Sequence, residues 1–362
     1  MYGVDKSEIR NITIDSIDLD KLRASNAVFT LSDSVVAQPV RLHNSDDIIK
    51  LDRLYISNDK LFESFNLDYK IERMARVYYT SLNLAVKSKN KKLHNLIPMS
   101  CDRYRSKLNI IRNYLANNYG IYISFTEARF RKIELNITES MAYEFEDYTV
   151  LFEAIRKERN LKVYPNSSTY ESYLKTGTYY YSSKCQELKF YNKSQEMADY
   201  FKIQLDDNKI MRLEYKLTGY DKIANKLGTD KVLELTDEAI ATFLNESVES
   251  DVFKPIEKYI DKTNKQLTKK YKELKKQYKR GFIREFAHYA NSKDVDVFDM
   301  QQVLDIAKRD INKSNHGSKN RKLIDSIMSQ TLKHNLDKFA EIQVKFQIND
   351  FIIAQTSDNM QN

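Results

Sequence analysis

The 362 residues carry 59 Lys and Arg against 51 Asp and Glu, which gives a net charge of +8. A domain usually takes about 100–200 residues, so we expect two or three domains. No stretch approaches the roughly 20 apolar residues of a membrane helix, and the mean hydropathy is −0.62. The N-terminus has no signal-peptide pattern and Cys101 and Cys185 stand far apart, so we expect a cytoplasmic protein without a membrane partner.

The lack of two glycine motifs in this sequence argues against two common classes of nucleotide-dependent enzyme. The sequence has seven glycines, and they form neither G-x-G-x-x-G nor G-x-x-x-x-G-K-[ST]. These are the loops that hold dinucleotides and the phosphates of ATP. We therefore expect no ATP-driven chemistry from this chain.

Alternating apolar residues predict several strands in the first two thirds of the chain. The clearest run is residues 129–138, followed along the chain by 188–191 and 209–217, and a shorter candidate is 121–126. A Tyr-rich loop or hairpin is predicted over 164–182.

Helical spacing predicts the remaining elements. Residues 68–86 and 103–118 are predicted as helices, and Asn192 with Gln195 resembles a helix N-cap. From about residue 221 to 343 the spacing stays helical. The patterns predict an α+β fold with a central antiparallel sheet flanked by helices in residues 1–245, followed by a helical, basic domain in residues 246–362.

The excess positive charge is concentrated in one helical segment. Between Lys254 and Arg280, ten Lys and one Arg stand against three acidic residues, a local net charge of +8. Clustered lysines of this kind either form a solvated helix face or follow a nucleic-acid backbone. As DNA-binding candidates we take Lys269, Lys270, Lys272, Lys275 and Lys276.

Three polar residues occupy strands whose alternate positions are apolar: Glu134, Tyr191 and Glu214. On neighbouring strands they can share one face, where two carboxylates suit Mg²⁺ or Mn²⁺. Tyr191 is then a candidate nucleophile toward phosphorus, and Lys193 is placed to stabilise developing charge. Exposed Glu and structural Tyr residues are also common on strands, so spacing alone leaves a structural role open.

Two strings resemble motifs of the gene II/X family of phage and plasmid replication initiators. They are Lys189–Glu196 (KFYNKSQE) and Met211–Leu217 (MRLEYKL), and Lys132-Ile133-Glu134 is similar to a third motif on an earlier strand. The resemblance covers about residues 100–220. It implies a related HUH-type catalytic domain and a Tyr191 nucleophile, with Glu134 and Glu214 at the acidic positions and Lys193 and Arg212 as basic partners.

The implied activity is a metal-dependent, site-specific endonuclease and strand transferase that starts rolling-circle replication. Through a 5′-phosphotyrosyl intermediate it would nick one strand of single-stranded or supercoiled origin DNA, with Arg212 and the lysine helix on the DNA. A free 3′-hydroxyl would then prime a host polymerase, and a host helicase would unwind the duplex.

The chain departs from the family pattern at three positions. Glu134 replaces the usual Asp, Lys132 replaces Arg, and Thr138 stands where relatives often carry a second acid. A third metal ligand is therefore either lacking or supplied from elsewhere, with the isolated His43 and His94 as candidates. Two alternatives stay open: a non-catalytic DNA-binding initiator or regulator, and a relaxase of a mobile element with the same chemistry.

Overall fold

The computed structural model describes residues 1–31, 51–58, 61–72, 75–85, 96–159, 178–182, 185–205, 209–292, 295–329 and 334–348. These residues form two compact units. Residues 1–140 and 180–244 make up most of the first, called the sheet unit here; described residues of 141–179 and 245–347 form the second, the helical unit. The sequence patterns predict two continuous segments, whereas the helical unit combines two separate stretches of the chain.

The sheet unit contains a large antiparallel sheet, so the predicted α+β class is confirmed. Within the described residues this sheet has nine strands in the order β3-β4-β5-β6-β1-β8-β11-β10-β9, and β2 pairs with β7 separately. The strands are β1 (Tyr2–Arg10), β2 (Thr13–Ile17), β3 (Val28–Leu31), β4 (Leu51–Asn58), β5 (Phe62–Glu72), β6 (Ala75–Ala85), β7 (Ile121–Ser124), β8 (Arg129–Ser140), β9 (Thr178–Ser182), β10 (Gln186–Asn192) and β11 (Ile210–Thr218).

Helices occur in both units. Numbered along the chain they are α1 (Leu19–Arg23), α2 (Cys101–Tyr119), α3 (Thr149–Glu158), α4 (Lys193–Phe201), α5 (Tyr220–Leu227), α6 (Asp237–Val248), α7 (Lys254–Gln277), α8 (Phe282–Ala290), α9 (Met300–Lys313), α10 (Gly317–Ser329) and α11 (Asn335–Phe346). In the part of the chain that the structure describes, none of these helices has both the length and the apolar content needed to cross a membrane.

One face of the sheet is apolar and packs against helices. Ile133, Leu135 and Ile137 of β8 are buried on this face, where Tyr215 of β11 meets the ring of Phe243 of α6 at 5.5 Å between centroids. Because side chains alternate along a strand, the residues between these apolar positions must lie on the opposite face. The polar candidates of the sequence occupy those intervening positions.

The predicted strands correspond to β7, β8, β10 and β11, and the predicted helix over 103–118 is α2. Asn192 caps α4, because its side chain accepts a hydrogen bond from the Gln195 backbone at 3.0 Å. Of the predicted Tyr-rich loop or hairpin, residues 178–182 form β9, and residues 164–177 lie outside the described residues.

The predicted helix over 68–86 is wrong. This segment instead contributes the end of β5 and all of β6, which pair in register from Ser64 opposite Asn83 to Glu72 opposite Ala75. Leu67 on β5 and Leu82 and Leu84 on β6 are buried, which is an alternation of period two. The hairpin pairing of β5 with β6, and the non-local pairing of β6 with β1, have overridden a local pattern compatible with a helix.

The helical unit depends on α3, which ends at Glu158, well before the second stretch of this unit begins at Asn245. Leu151, Phe152 and Ile155 of α3 are fully buried. Glu158 at its end accepts from Lys262 of α7 at 2.9 Å and lies 3.3 Å from the ammonium of Lys258. Helix α3 is therefore one of the elements against which α7 packs.

We expect a fragment of residues 246–362 to fold poorly because it lacks α3. Loss of α3 removes its buried side chains, and burial of each contributes about 1.5–3 kcal/mol. Circular dichroism at 222 nm should show no cooperative thermal transition for the fragment, with the full-length chain as the control. A cooperative transition as sharp as that of the intact chain would contradict this prediction.

Candidate active site

The polar face of the sheet brings together the residues predicted on three strands. Tyr191 on β10 lies opposite Arg212 on β11, and two residues along the strands Lys189 lies opposite Glu214. Arg212 and Glu214 are themselves opposite Thr138 and Asn136 of β8. Glu134, two residues before Asn136, shares that face. The alternation of the sequence thus predicts correctly that Glu134, Tyr191 and Glu214 lie on one face of one sheet.

A third carboxylate joins this face from β1. Oxygens of Asp5, Glu134 and Glu214 lie within 4.8 Å of one another. The register of β1 on β8 shifts between Val4 and Lys6, so Asp5 is the extra residue of a β-bulge. Because Val4 and Ser7 both lie on the apolar face, the bulge lets Asp5 and Lys6 both face the polar side. On the apolar face, the Ser7 hydroxyl lies 2.5 Å from the Tyr104 hydroxyl of α2.

Sequence reasoning missed Asp5 because a bulge cannot be read from alternation. The available signal was an acid within the short strand-like run of residues 2–10, and nothing in that run indicated which face it occupies. Asp5 supplies the acid that Thr138 does not. His43 and His94, the other candidate ligands, lie outside the described residues.

Arg212 holds this arrangement together. Its side chain is 0 % exposed. It donates from Nε to Thr138 Oγ1 at 2.8 Å, from Nη1 to Asp5 Oδ2 at 3.4 Å and from Nη2 to the Leu96 carbonyl at 2.9 Å. The predicted role of Arg212 in DNA binding does not fit this burial. The guanidinium instead positions Asp5, and the segment that contains Leu96, around the carboxylates.

The backbone of β1 explains why Leu96 is so close. Val4 exchanges two hydrogen bonds with Met99, each of 2.9 Å. Gly3, with a φ of +153°, makes this approach possible, because a Cβ there would come within 2.5 Å of the Met99 carbonyl oxygen. The segment that precedes α2 is thereby held beside the start of β1.

The phenol of Tyr191 contacts one of the carboxylates, Glu214, directly. Its hydroxyl donates to Glu214 Oε2 at 3.3 Å, and the other oxygen of Glu214 accepts from Lys189 Nζ at 2.7 Å. Tyr191 is only 9 % exposed. Burial, with the neighbouring Glu214 charge, raises the pKa of Tyr191 well above its usual value. The phenol therefore needs a base in order to attack, and Glu214 is placed to accept its proton.

Lys193 follows Tyr191 at the start of α4 and is also buried. Its ammonium donates to Glu196 Oε2 at 2.5 Å and lies 5.8 Å from the centre of the Tyr191 ring. Burial and the nearby Arg212 charge lower the pKa of Lys193. Lys193 is thus near the predicted nucleophile, as the sequence suggests, with Glu196 as a partner that the sequence did not predict.

The three carboxyl groups differ in their electrostatics. Burial and the Glu214 charge raise the pKa of Glu134 from 4.5 to about 7. Burial also raises the pKa of Asp5, although Arg212 opposes it. Burial also raises the pKa of Glu214, but the positive charges of Lys189 and Arg212 outweigh this effect, so the pKa of Glu214 is lowered. The cluster therefore contains one firmly ionised carboxylate and two that bind protons more readily.

The donor set fits a hard divalent cation. Three carboxylates within reach of one another supply the oxygen ligands that Mg²⁺ and Mn²⁺ prefer. Asn136, fully buried between Glu134 and Thr138 on the same face, has an amide Nδ2 without a hydrogen-bond partner. Its Oδ1 accepts a hydrogen bond from the Thr138 hydroxyl at 3.2 Å, so a fourth side-chain oxygen lies on the same face as the three carboxylates.

The lysine helix, α7, belongs to the helical unit, and its lysines fall into two groups. Lys275 bonds to both oxygens of Asp310 at 2.7 Å. Lys270 lies 3.9 Å from Glu273 and 5.3 Å from the Tyr289 ring centre. Lys269, Lys272 and Lys276 are exposed and have no ion-pair partner among the described residues. Of the five predicted DNA-binding lysines, these three are available for an external anion.

A groove follows the same side of α7. Its volume is about 420 Å³. The described residues that line it all belong to this helix: Asp261, Asn264, Lys265, Thr268, Lys269 and Lys272. Three lysines against one acid make the lining positive, so the groove extends the open lysine surface along the helix.

Comparisons with known proteins add no assignment. No protein-family model matches this sequence, and no curated protein matches it significantly. The function therefore has to be argued from the geometry of the polar face and of α7.

The raised pKa of Glu134 predicts a stability that depends on pH. Between pH 4.5 and about 7 the folded protein keeps a proton on Glu134 that the unfolded chain has lost, so this group destabilises the fold as the pH rises. Relative to the unsubstituted protein, Glu134→Gln should gain about 2–3 kcal/mol in the free energy of unfolding between pH 5 and pH 8. Urea denaturation in EDTA measures this difference.

Glu187→Gln is the matched control, because Glu187 lies on the same face but bonds to Lys216 instead of joining the carboxylate cluster. It should show no such gain. Equal behaviour of the two variants across this pH range would mean that Glu134 is not the group responsible.

Proposed function

We propose that this protein is a replication initiator that nicks one strand of origin DNA through a 5′-phosphotyrosyl intermediate. The observation that carries the proposal is the contact between the Tyr191 hydroxyl and Glu214, within a cluster of three carboxylates on a rigid sheet. A phenol beside a carboxylate base and a hard-cation site is a constellation suited to phosphoryl transfer. The resemblance of the Tyr191 and Glu214 motifs to the gene II/X family supports the same reading.

The reaction assigns each residue a distinct task. Tyr191 Oη attacks the scissile phosphorus while Glu214 accepts the phenolic proton, and the bond from phosphorus to the 3′-oxygen breaks. Lys193 is the nearby group that can stabilise or protonate the departing oxygen. The products are a 5′-phosphotyrosyl enzyme and a free 3′-hydroxyl. Attack by a 3′-hydroxyl on the phosphotyrosine later reverses the step and consumes no ATP.

Asp5, Glu134 and Glu214 would hold Mg²⁺ or Mn²⁺. When bound, such an ion supplies Lewis-acid activation of the phosphate. Arg212 keeps Asp5 in place for this purpose without touching the substrate. Tyr191 is 9 % exposed, so the phosphodiester must enter at that opening or the phenol must rotate toward it.

In this proposal the open lysines of α7 bind the DNA backbone. Lysines without intramolecular partners release counterions from DNA when they bind phosphates. A host helicase and a host polymerase remain the proposed partners, since unwinding and synthesis require functions for which the sequence has no motif. The relaxase alternative uses the same chemistry, and gene neighbourhood would distinguish it from an initiator.

The rival interpretation is a DNA-binding protein without catalysis, and it is favoured by the extent to which basic side chains already neutralise the carboxylates.

We expect Tyr191→Phe to abolish nicking of supercoiled origin plasmid and formation of the covalent protein–DNA adduct, with DNA binding unchanged. The variant keeps the ring and removes only the oxygen that must bond to phosphorus. Gel analysis of plasmid and adduct in Mn²⁺ provides the measurement.

Tyr220→Phe serves as the control, because this ring lies 4.8 Å from the guanidinium carbon of Arg129, away from the carboxylates. It should nick normally. Glu214→Gln should reduce activity steeply and recover in part at high Mn²⁺. Unimpaired adduct formation by Tyr191→Phe would exclude Tyr191 as the nucleophile; no nicking by the unsubstituted protein on its own origin would favour the non-catalytic rival.

The two groups of lysines on α7 should differ in DNA binding. Changing Lys269, Lys272 and Lys276 together to Gln should reduce the slope of log affinity against log salt by about 2–3, since each phosphate contact contributes about 0.9 for duplex DNA. The double change of Lys270 and Lys275 to Gln should leave the slope nearly unaltered. Fluorescence anisotropy at several salt concentrations measures both slopes. Equal slopes for the two variants would mean that the exposed lysines have no special role in DNA binding and that α7 is a solvated helix.

A further inference from the structure

Lys189 occupies a special position among the basic residues of the polar face. It lies directly opposite Glu214 in the register of β10 and β11, and its ammonium donates to Glu214 Oε1 at 2.7 Å. The other oxygen of Glu214 accepts from Tyr191. Each carboxylate oxygen thus has one partner, and a cation that binds at Oε1 meets the positive charge of Lys189, which it has to displace.

The ammonium of Lys189 also acts on a second member of the cluster. Its positive charge lowers the pKa of Glu134, in opposition to the burial that raises it. One lysine thus neutralises charge on both glutamates, which is what a bound cation would do in the same place.

Two neighbouring cations are less able to leave. Arg212 and Lys193 are both 0 % exposed and hydrogen-bonded to their partners. Lys6, opposite Glu134 on β1, is exposed and acts on the carboxylates through its charge, whereas Lys189 bonds to Glu214 directly. The side chain of Lys189 is 27 % exposed, and its bond to Glu214 is cross-strand rather than enclosed. A partly exposed lysine can turn its ammonium into water while its aliphatic stem stays on the sheet.

We propose that Lys189 is an exchangeable counterion of the metal site. It fills the cation position beside Glu214 until Mg²⁺ or Mn²⁺ binds, and it then moves outward. This inference rests on the metal site of the proposed function. The released ammonium remains on the same face as Tyr191, two residues away on β10, where it is available to a phosphodiester oxygen. Lys189 is thus a positioning residue that sets the metal affinity.

The test is Mn²⁺ binding to the full-length protein, measured at pH 8 from the electron paramagnetic resonance signal of free Mn²⁺. Lys189→Met keeps an unbranched chain and removes the competing charge, so we expect Mn²⁺ to bind about tenfold more tightly. Lys189→Arg keeps a cation and should show no such gain. A second neutral variant, Lys189→Gln, tests the same point if Lys189→Met does not fold.

Lys216→Met is the matched control. Lys216 lies on the same face of β11 and bonds to both oxygens of Glu187 at 3.0 Å. It should bind Mn²⁺ as the unsubstituted protein does. A general loss of charge from the face would tighten binding equally in the two lysine variants, and that result would overturn the proposal.

Unchanged or weaker Mn²⁺ binding in Lys189→Met and Lys189→Gln would also overturn it, as would the lack of Mn²⁺ binding in every variant. These results are distinguishable from failure of the proposed function. Tighter binding in Lys189→Met, in a protein that forms no DNA adduct, would establish the exchangeable counterion and exclude only the nicking reaction.

Discussion

The buried guanidinium of Arg212 is the constraint on which the site depends. From β11 it reaches Thr138 on β8, Asp5 on β1 and the carbonyl of Leu96 before α2. A buried charge left without partners costs several kcal/mol, so these bonds have to form together. Because one planar group makes all of them, three strands and one connecting segment are held in a single register around the carboxylates.

A charged network of this kind is a weak source of stability. Desolvation of buried ions offsets most of their attraction, and well-packed apolar residues of similar volume are often at least as stable. Acidic and basic groups nevertheless occupy most of the face that β8, β10 and β11 share. In the proposed function this face binds a charged ligand, and the Tyr191 hydroxyl lies among its charged groups.

The sequence predicted the parts of the site that depend on regular alternation, and not those that depend on irregular or distant geometry. Glu134, Tyr191 and Glu214 share a face because β8, β10 and β11 are regular in register. Asp5 was missed because a bulge breaks that alternation. The local pattern of residues 68–86 favours a helix. The partners of a strand lie in other segments of the chain, so a local pattern does not reveal the pairing. The lysines of α7 were recognised as a group, but only tertiary contacts distinguish Lys275, bonded to Asp310, from Lys272.

The bulge in β1 makes the length of that strand as important as its composition. Asp5 is the extra residue between Val4 and Lys6, and its carboxylate faces those of Glu134 and Glu214. Removal of Asp5 itself would bring Val4 and Lys6 into regular pairing opposite Leu135 and Glu134, so the sheet could still form while the third carboxylate was lost. Divergence of this site among descendants of the chain would therefore proceed as readily by a one-residue deletion as by substitution of an acid.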